Sequence, residues 1–126
     1  MSADEDRSDR RSALPLTVNL FYDRTGRPIE VEEYRRLFAL GNAPGQYRRV
    51  ALSRIRRPDG STVEVSTVWI GINLSIGSGP PLIFETMVFG LEDHDEDDGY
   101  RWSTEESARL GHALVVDAIE NGRDLP

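Results

Sequence analysis

Asp59-Gly60 stands between two runs of alternating side chains, YRRVALSRIRR (47–57) and TVEVSTVWIGI (62–72). Aspartate and glycine both accept the positive φ angles of a type I′ turn, whose twist matches that of the strands it joins. The dipeptide therefore predicts a tight hairpin, and a hairpin commits this part of the chain to antiparallel pairing. The glycine-rich loop NLSIGSGPP follows, and LIFETMVFG (82–90) then reads as the third strand of a meander. YRW (100–102) predicts a short final strand.

Flanking segments supply the helices. EVEEYRRLFAL spaces Val31, Tyr34, Leu37 and Phe38 along one helical face, and Gly41, Asn42 and Pro44 end it. Near the C-terminus, Ser103 and Glu106 match the S-x-x-E capping box, and Ala108, Gly111, Leu114, Val115, Ala118 and Ile119 form an apolar stripe that stops at Gly122. LTVNLFYD predicts a first strand, turned by RTGRP. The expectation is an α+β fold: an antiparallel meander of about four strands, a short helix in the N-terminal half and a longer C-terminal helix. Residues 1–14 read as a charged, disordered tail, 15–122 as one domain with an acidic loop at 91–99, and 123–126 as a short tail.

The third strand raises a question. Leu82, Phe84, Thr86 and Val88 have one parity, and Ile83, Glu85, Met87 and Phe89 the other. Both sets are largely apolar, which predicts a central strand covered on both sides. Two helices on one face leave the other to a loop, a tail or a second copy, and a sheet-to-sheet homodimer is one of these three ways to cover it. Glu85 then points into a covered layer and needs a partner, since buried charges are paired. Arg101, Arg109 or an arginine of the second strand could supply it.

Composition removes several kinds of chemistry. The chain has 126 residues and no cysteine, so disulfides, thiolate zinc sites and cysteine nucleophiles are absent. Its net charge of −7 is concentrated in EDHDEDD (92–98). Without those six acids the balance is 15 basic against 16 acidic, or −1. The basic counterpart is RRVALSRIRR (48–57), which holds five arginines. MSADEDRSDRRSALP lacks the apolar core of a secretory signal, and no run is long and apolar enough to span a membrane. The expected location is the cytoplasm, without membrane association.

STVWIGINLSIGSGPPLIFETMVFG followed by YRWSTEESARLGH resembles an uncharacterised family of small actinobacterial and actinophage proteins with the pattern STVW-x-G, PPLIFETMVF and YSTEEEA-GH. The resemblance covers roughly residues 20–121. It implies an actinobacterial or phage origin, and for a phage protein the host cytoplasm, but no assigned activity. An Asp-His pair that the family pattern carries after W-x-G is here Asn73 and Leu74, which argues against metal chemistry at those positions.

Candidate site residues are few. Glu85 and His112 are the weak catalytic candidates: a desolvated carboxylate or a histidine is tuned for proton transfer, and His112 sits at the edge of the helix stripe. Trp69 and Asn73 could complete a ligand pocket with them. Arg48, Arg54 and Arg56 are candidate nucleic-acid contacts, disfavoured because Arg49 and Arg57 break the face and the acidic loop repels phosphate. Asp93, Asp95 and Asp97 match positions 1, 3 and 5 of an EF-hand loop, but Asp98 replaces its glycine and Thr104 its glutamate. His94 lies in the same loop. GSGPP lacks phosphate-loop spacing, and no G-x-S-x-G or H-E-x-x-H occurs. No cofactor is expected. The first reading is a non-enzymatic interaction protein that docks on an unidentified host or phage protein or on itself. The alternatives are a small ligand-binding or hydrolytic domain around Glu85 and His112, and a nucleic-acid accessory protein.

Overall fold

The computed structural model describes residues 19–74, 77–92 and 99–126. Its elements are β1 (Phe21–Tyr22), β2 (Pro28–Ile29), α1 (Val31–Phe38), β3 (Arg49–Arg56), β4 (Thr62–Trp69), β5 (Phe84–Phe89), β6 (Tyr100–Trp102) and α2 (Glu105–Glu120). β3-β4-β5-β6 form an antiparallel meander and β1-β2 a separate two-stranded ribbon, so the fold is the expected α+β arrangement. The expected tail at 1–14 and the acidic run 93–98 lie outside the described residues.

Asp59-Gly60 turns the chain as expected, but not as a type I′ turn. Gly60 N–H donates to the Arg57 carbonyl at 2.9 Å, and Arg57 N–H to the Ser61 carbonyl at 2.8 Å. Pro58 fixes a negative φ at the second position of this turn, and Gly60 alone takes the left-handed conformation, at φ 90°. The result is a three-residue loop, Pro58-Asp59-Gly60, with Asp59 Oδ1 accepting Ser61 N–H at 2.8 Å.

Pairing sets the two sheet faces. Trp69, Phe84 and Trp102 form one cross-strand row; Ala51, Thr67, Thr86 and Tyr100 the next; Ser53, Val65 and Val88 the third; Ile55 and Val63 the last. α2 packs over this face, touching all four strands. Val63, Val65, Val88 and Val115 are sealed there, each contributing about 1.5–3 kcal/mol by burial. At the Trp69 end, α1 and β1 close the core with Leu37, Tyr34 and Tyr22.

Several sequence expectations need correction. α2 is capped by Thr104, not Ser103: Thr104 Oγ1 accepts Ser107 N–H at 3.0 Å, while Glu105, freed as the first helical residue, turns to two arginines. The helix is also rotated from its expected stripe, with Leu114 61% exposed and His112 only 6%. Gly111 explains the rotation, because a β-carbon there would strike the Trp102 indole. The helix thus rests its glycine on Trp102 and turns the next side chain into the core. On α1, Phe38 is exposed beneath the Arg48 guanidinium, 3.9 Å from the ring centroid. Ile83 leaves the Glu85 face and joins the core with Trp69 and Phe84. Residues 123–126 fold back on the domain: Leu125 packs near Val115 and Tyr100, and the Tyr100 hydroxyl donates to the Pro126 carbonyl at 3.1 Å.

The face opposite α2 carries Leu52, Val68, Met87 and Phe89, all half-buried. Among the described residues no helix or strand packs across it. Among the described residues no element therefore supplies the layer expected over Glu85, whose side chain is 24% exposed.

Candidate functional sites: a buried polar relay and an open sheet face

The helix-covered face contains a polar chain in its middle. Trp102 Nε1 lies 3.0 Å from Thr86 Oγ1, Thr86 Oγ1 2.6 Å from Thr67 Oγ1, Thr67 Oγ1 2.8 Å from His112 Nδ1, and His112 Nε2 2.9 Å from Ser53 Oγ. Thr67 and Thr86 are fully buried, and Ser53 is half-buried on the edge strand.

Trp102 sets the direction of this chain. An indole N–H only donates, so Thr86 Oγ1 accepts. If the Thr86 hydroxyl then donates to Thr67, and Thr67 to His112 Nδ1, every buried group is satisfied. Nδ1 is then an acceptor, and the histidine proton sits on Nε2 and is donated to Ser53. The reverse direction would strand the Thr86 hydroxyl proton in the core. In the satisfied arrangement His112 cannot draw a proton from Ser53, so the pair lacks the activation a serine nucleophile needs. The relay is a structural bolt between α2 and all four strands of the meander.

His112 is held below its ordinary pKa of 6.5, first by burial and then by Arg49 and Arg109 nearby. A base depressed on folding binds fewer protons folded than unfolded. Stability from His112 is therefore full above the unfolded value and falls as pH drops through it. Urea unfolding is expected to show a loss of stability from pH 7.5 towards 5.5, no steeper than about 1.4 kcal/mol per pH unit from this group. His112→Gln should flatten that dependence, and an unchanged slope would contradict the assignment.

Glu85 and His112 are not brought together. Thr86 points into the relay, so Glu85 projects from the opposite face. Arg101, its direct cross-strand neighbour, donates from Nε to Glu85 Oε2 at 3.0 Å. This pair is partly exposed and contributes on the order of 0.2–1 kcal/mol. Trp69 is fully buried, edge-on to Tyr47 with centroids 5.1 Å apart, and donates from Nε1 to the Tyr22 carbonyl at 3.0 Å. Asn73 Oδ1 accepts Leu82 N–H at 3.3 Å, tying the loop ends together. The four residues of the expected pocket line neither of two surface grooves, of about 590 and 580 Å³.

The arginines also disperse. Arg48 is held over Phe38 with its Nε buried and without a hydrogen-bond partner. Arg54 pairs with Glu64 at 3.1 Å, and Arg56 is exposed at the end of β3. Asp93, His94, Asp95 and Asp97 lie outside the described residues, and among the described residues no three His, Asp or Glu side chains gather into a metal-sized site.

Sequence reasoning missed the Arg24–Glu105–Arg109 cluster. Arg24 meets Glu105 through Nε at 2.9 Å and its terminal nitrogen at 2.7 Å, and also reaches the Tyr47 carbonyl at 2.6 Å. Arg109 donates to Glu105 Oε2 at 2.9 Å and to the Val50 carbonyl at 3.1 Å. Burial pushes the Glu105 carboxyl up, but the hydrogen bonds from both arginines outweigh it and hold the group below its ordinary 4.5. The one local cue was the arginine four residues after Glu105, and nothing nearby marks Arg24. Among the described residues, no helix is long and apolar enough to cross a membrane. Comparison of the chain with protein-family models, curated proteins and solved structures returns no match, so its functional reading rests on the geometry of these residues.

Proposed function

We propose that this chain is a protein-interaction module with no chemistry of its own, which self-associates through the open sheet face. The observation that carries this reading is that face: Leu52, Val68, Met87 and Phe89 around Ser66, which accepts from Arg49 Nη1 at 2.9 Å, with one Arg–Glu pair at each of two opposite corners. Half-buried apolar side chains mixed with hydrogen-bonded polar groups and paired charges are the composition of a non-obligate interface. The charges are self-complementary. A two-fold axis lying between two such faces, near Ser66 and Met87, sets the Glu85–Arg101 pair of one copy over the Arg54–Glu64 pair of the other. The relay supports the non-enzymatic part of the reading, because its histidine is spent on structural bonds. The sequence resemblance supports an actinobacterial or phage accessory protein.

Light scattering coupled to size exclusion tests it. The full chain is expected at about twice its 14.2 kDa mass in the micromolar range, and Met87→Glu at the monomer mass with unchanged circular dichroism. A wild-type monomer throughout that range would overturn the sheet-face dimer.

A further inference from the structure

We infer that the outer edge of β3 is a docking site for an acidic peptide in extended conformation, added as a fifth strand. β3 is the long edge of the sheet, with eight residues against three in β6. Arg57 donates its N–H towards β4, so residues of the other parity, Leu52, Arg54 and Arg56, turn their N–H and C=O groups outward. None of the three makes a backbone bond outside the meander among the described residues. The preceding part of the edge is closed: Arg109 caps the Val50 carbonyl at 3.1 Å, and Arg24 lies 3.4 Å from the Arg49 carbonyl. The open template is therefore residues 52–56.

Charge selects the occupant. A groove of about 580 Å³ runs along this edge, lined by Arg24, Arg49, Arg54 and Arg109. Their carboxylate partners are Glu105 and Glu64, so four cations face two anions. Arg56 adds a further exposed cation on the face of Arg54. A second copy pairing β3 to β3 would set arginines against arginines, which opposes edge-to-edge association. A polynucleotide could use the guanidinium groups but not the outward carbonyls, which repel phosphate. An acidic strand uses both: its backbone pairs with residues 52–56, and alternate side chains fall on the Arg54 and Arg56 face. This inference shares the Leu52 and Arg54 side chains with the sheet-face dimer, but it rests on the outward backbone groups of the β3 edge, which that dimer does not use.

The test is fluorescence polarisation of a labelled eight-residue peptide alternating glutamate and threonine, titrated with the full chain at low salt. Binding is expected to be at least about tenfold tighter than for the lysine–threonine counterpart, and to weaken with added salt. N-methylation of alternate peptide residues keeps the charge but removes strand pairing, and should weaken binding about tenfold. The double variant Arg54→Ala, Arg56→Ala should weaken it similarly. Equal binding of the N-methylated peptide, tighter binding of single-stranded oligothymidine, or no binding at millimolar protein would each overturn the inference.

Discussion

Trp69→Ala is expected to remove about 3–5 kcal/mol of stability, enough to leave a domain of ordinary stability marginally folded. The indole is fully buried among Leu37, Val50, Ile83 and Phe84, with Tyr34 and Tyr47 against its faces and edge. The loss has two parts. The cavity cannot collapse, because aromatic side chains wall it and Gly71 is already folded against the ring at φ 70°. The Tyr22 carbonyl also loses its indole donor, which loosens the β1–β2 ribbon. Thermal unfolding should fall by about 10 °C or more, and Trp69→Phe should recover part of that by refilling the space. A loss below about 1 kcal/mol would mean that the ring does not carry this core.

Thr67→Val keeps the shape of the side chain and is expected to cost about 1–3 kcal/mol. The Thr67 hydroxyl lies 2.6 Å from Thr86 Oγ1 and 2.8 Å from His112 Nδ1, so its removal orphans two groups inside a sealed layer. Thr67→Ser, which keeps the hydroxyl, should lose less. The direction of the relay has its own measurement. Nitrogen-15 NMR of the histidine ring should place the His112 proton on Nε2, with Nδ1 as an acceptor. The opposite tautomer would reverse the chain and restore a serine–histidine pair poised for proton transfer. Ser53→Ala should cost less than Thr67→Val, because Ser53 is half-buried and water can replace it at His112.

Much of the fold was legible along the chain. Strand alternation around Asp59-Gly60, the apolar LIFETMVF run and the polar break before YRW place β3 to β6, and the meander follows from short connections between them. The α2 segment was legible for the same reason, since its periodicity and hydroxyl cap are local. The candidate sites were far less so. Glu85 did find an arginine, its cross-strand neighbour Arg101, but on the face that no described helix or strand covers. His112 looked like a boundary residue because a helical wheel weighs apolarity, and the threonines that receive it are invisible to it. Arg24 carries no local sign of its role, because its partner Glu105 is 81 positions away.

By itself, the sequence determined the four meander strands, both helices and the absence of thiol chemistry, though not the β1–β2 ribbon, because turn chemistry, periodicity and residue type act over a few positions. Only the tertiary structure decided which way α2 rotates, which residue caps it, and which of two apolar-looking sheet faces it covers. Those choices depend on groups that meet across the fold: Gly111 on Trp102, His112 between Thr67 and Ser53 at separations of 45 and 59 residues, and Glu105 between Arg24 and Arg109. Periodicity can mark a side chain as inward or outward, but the hydrogen-bond partner waiting there is supplied by another element, and burial of a polar group is stable only where that partner exists.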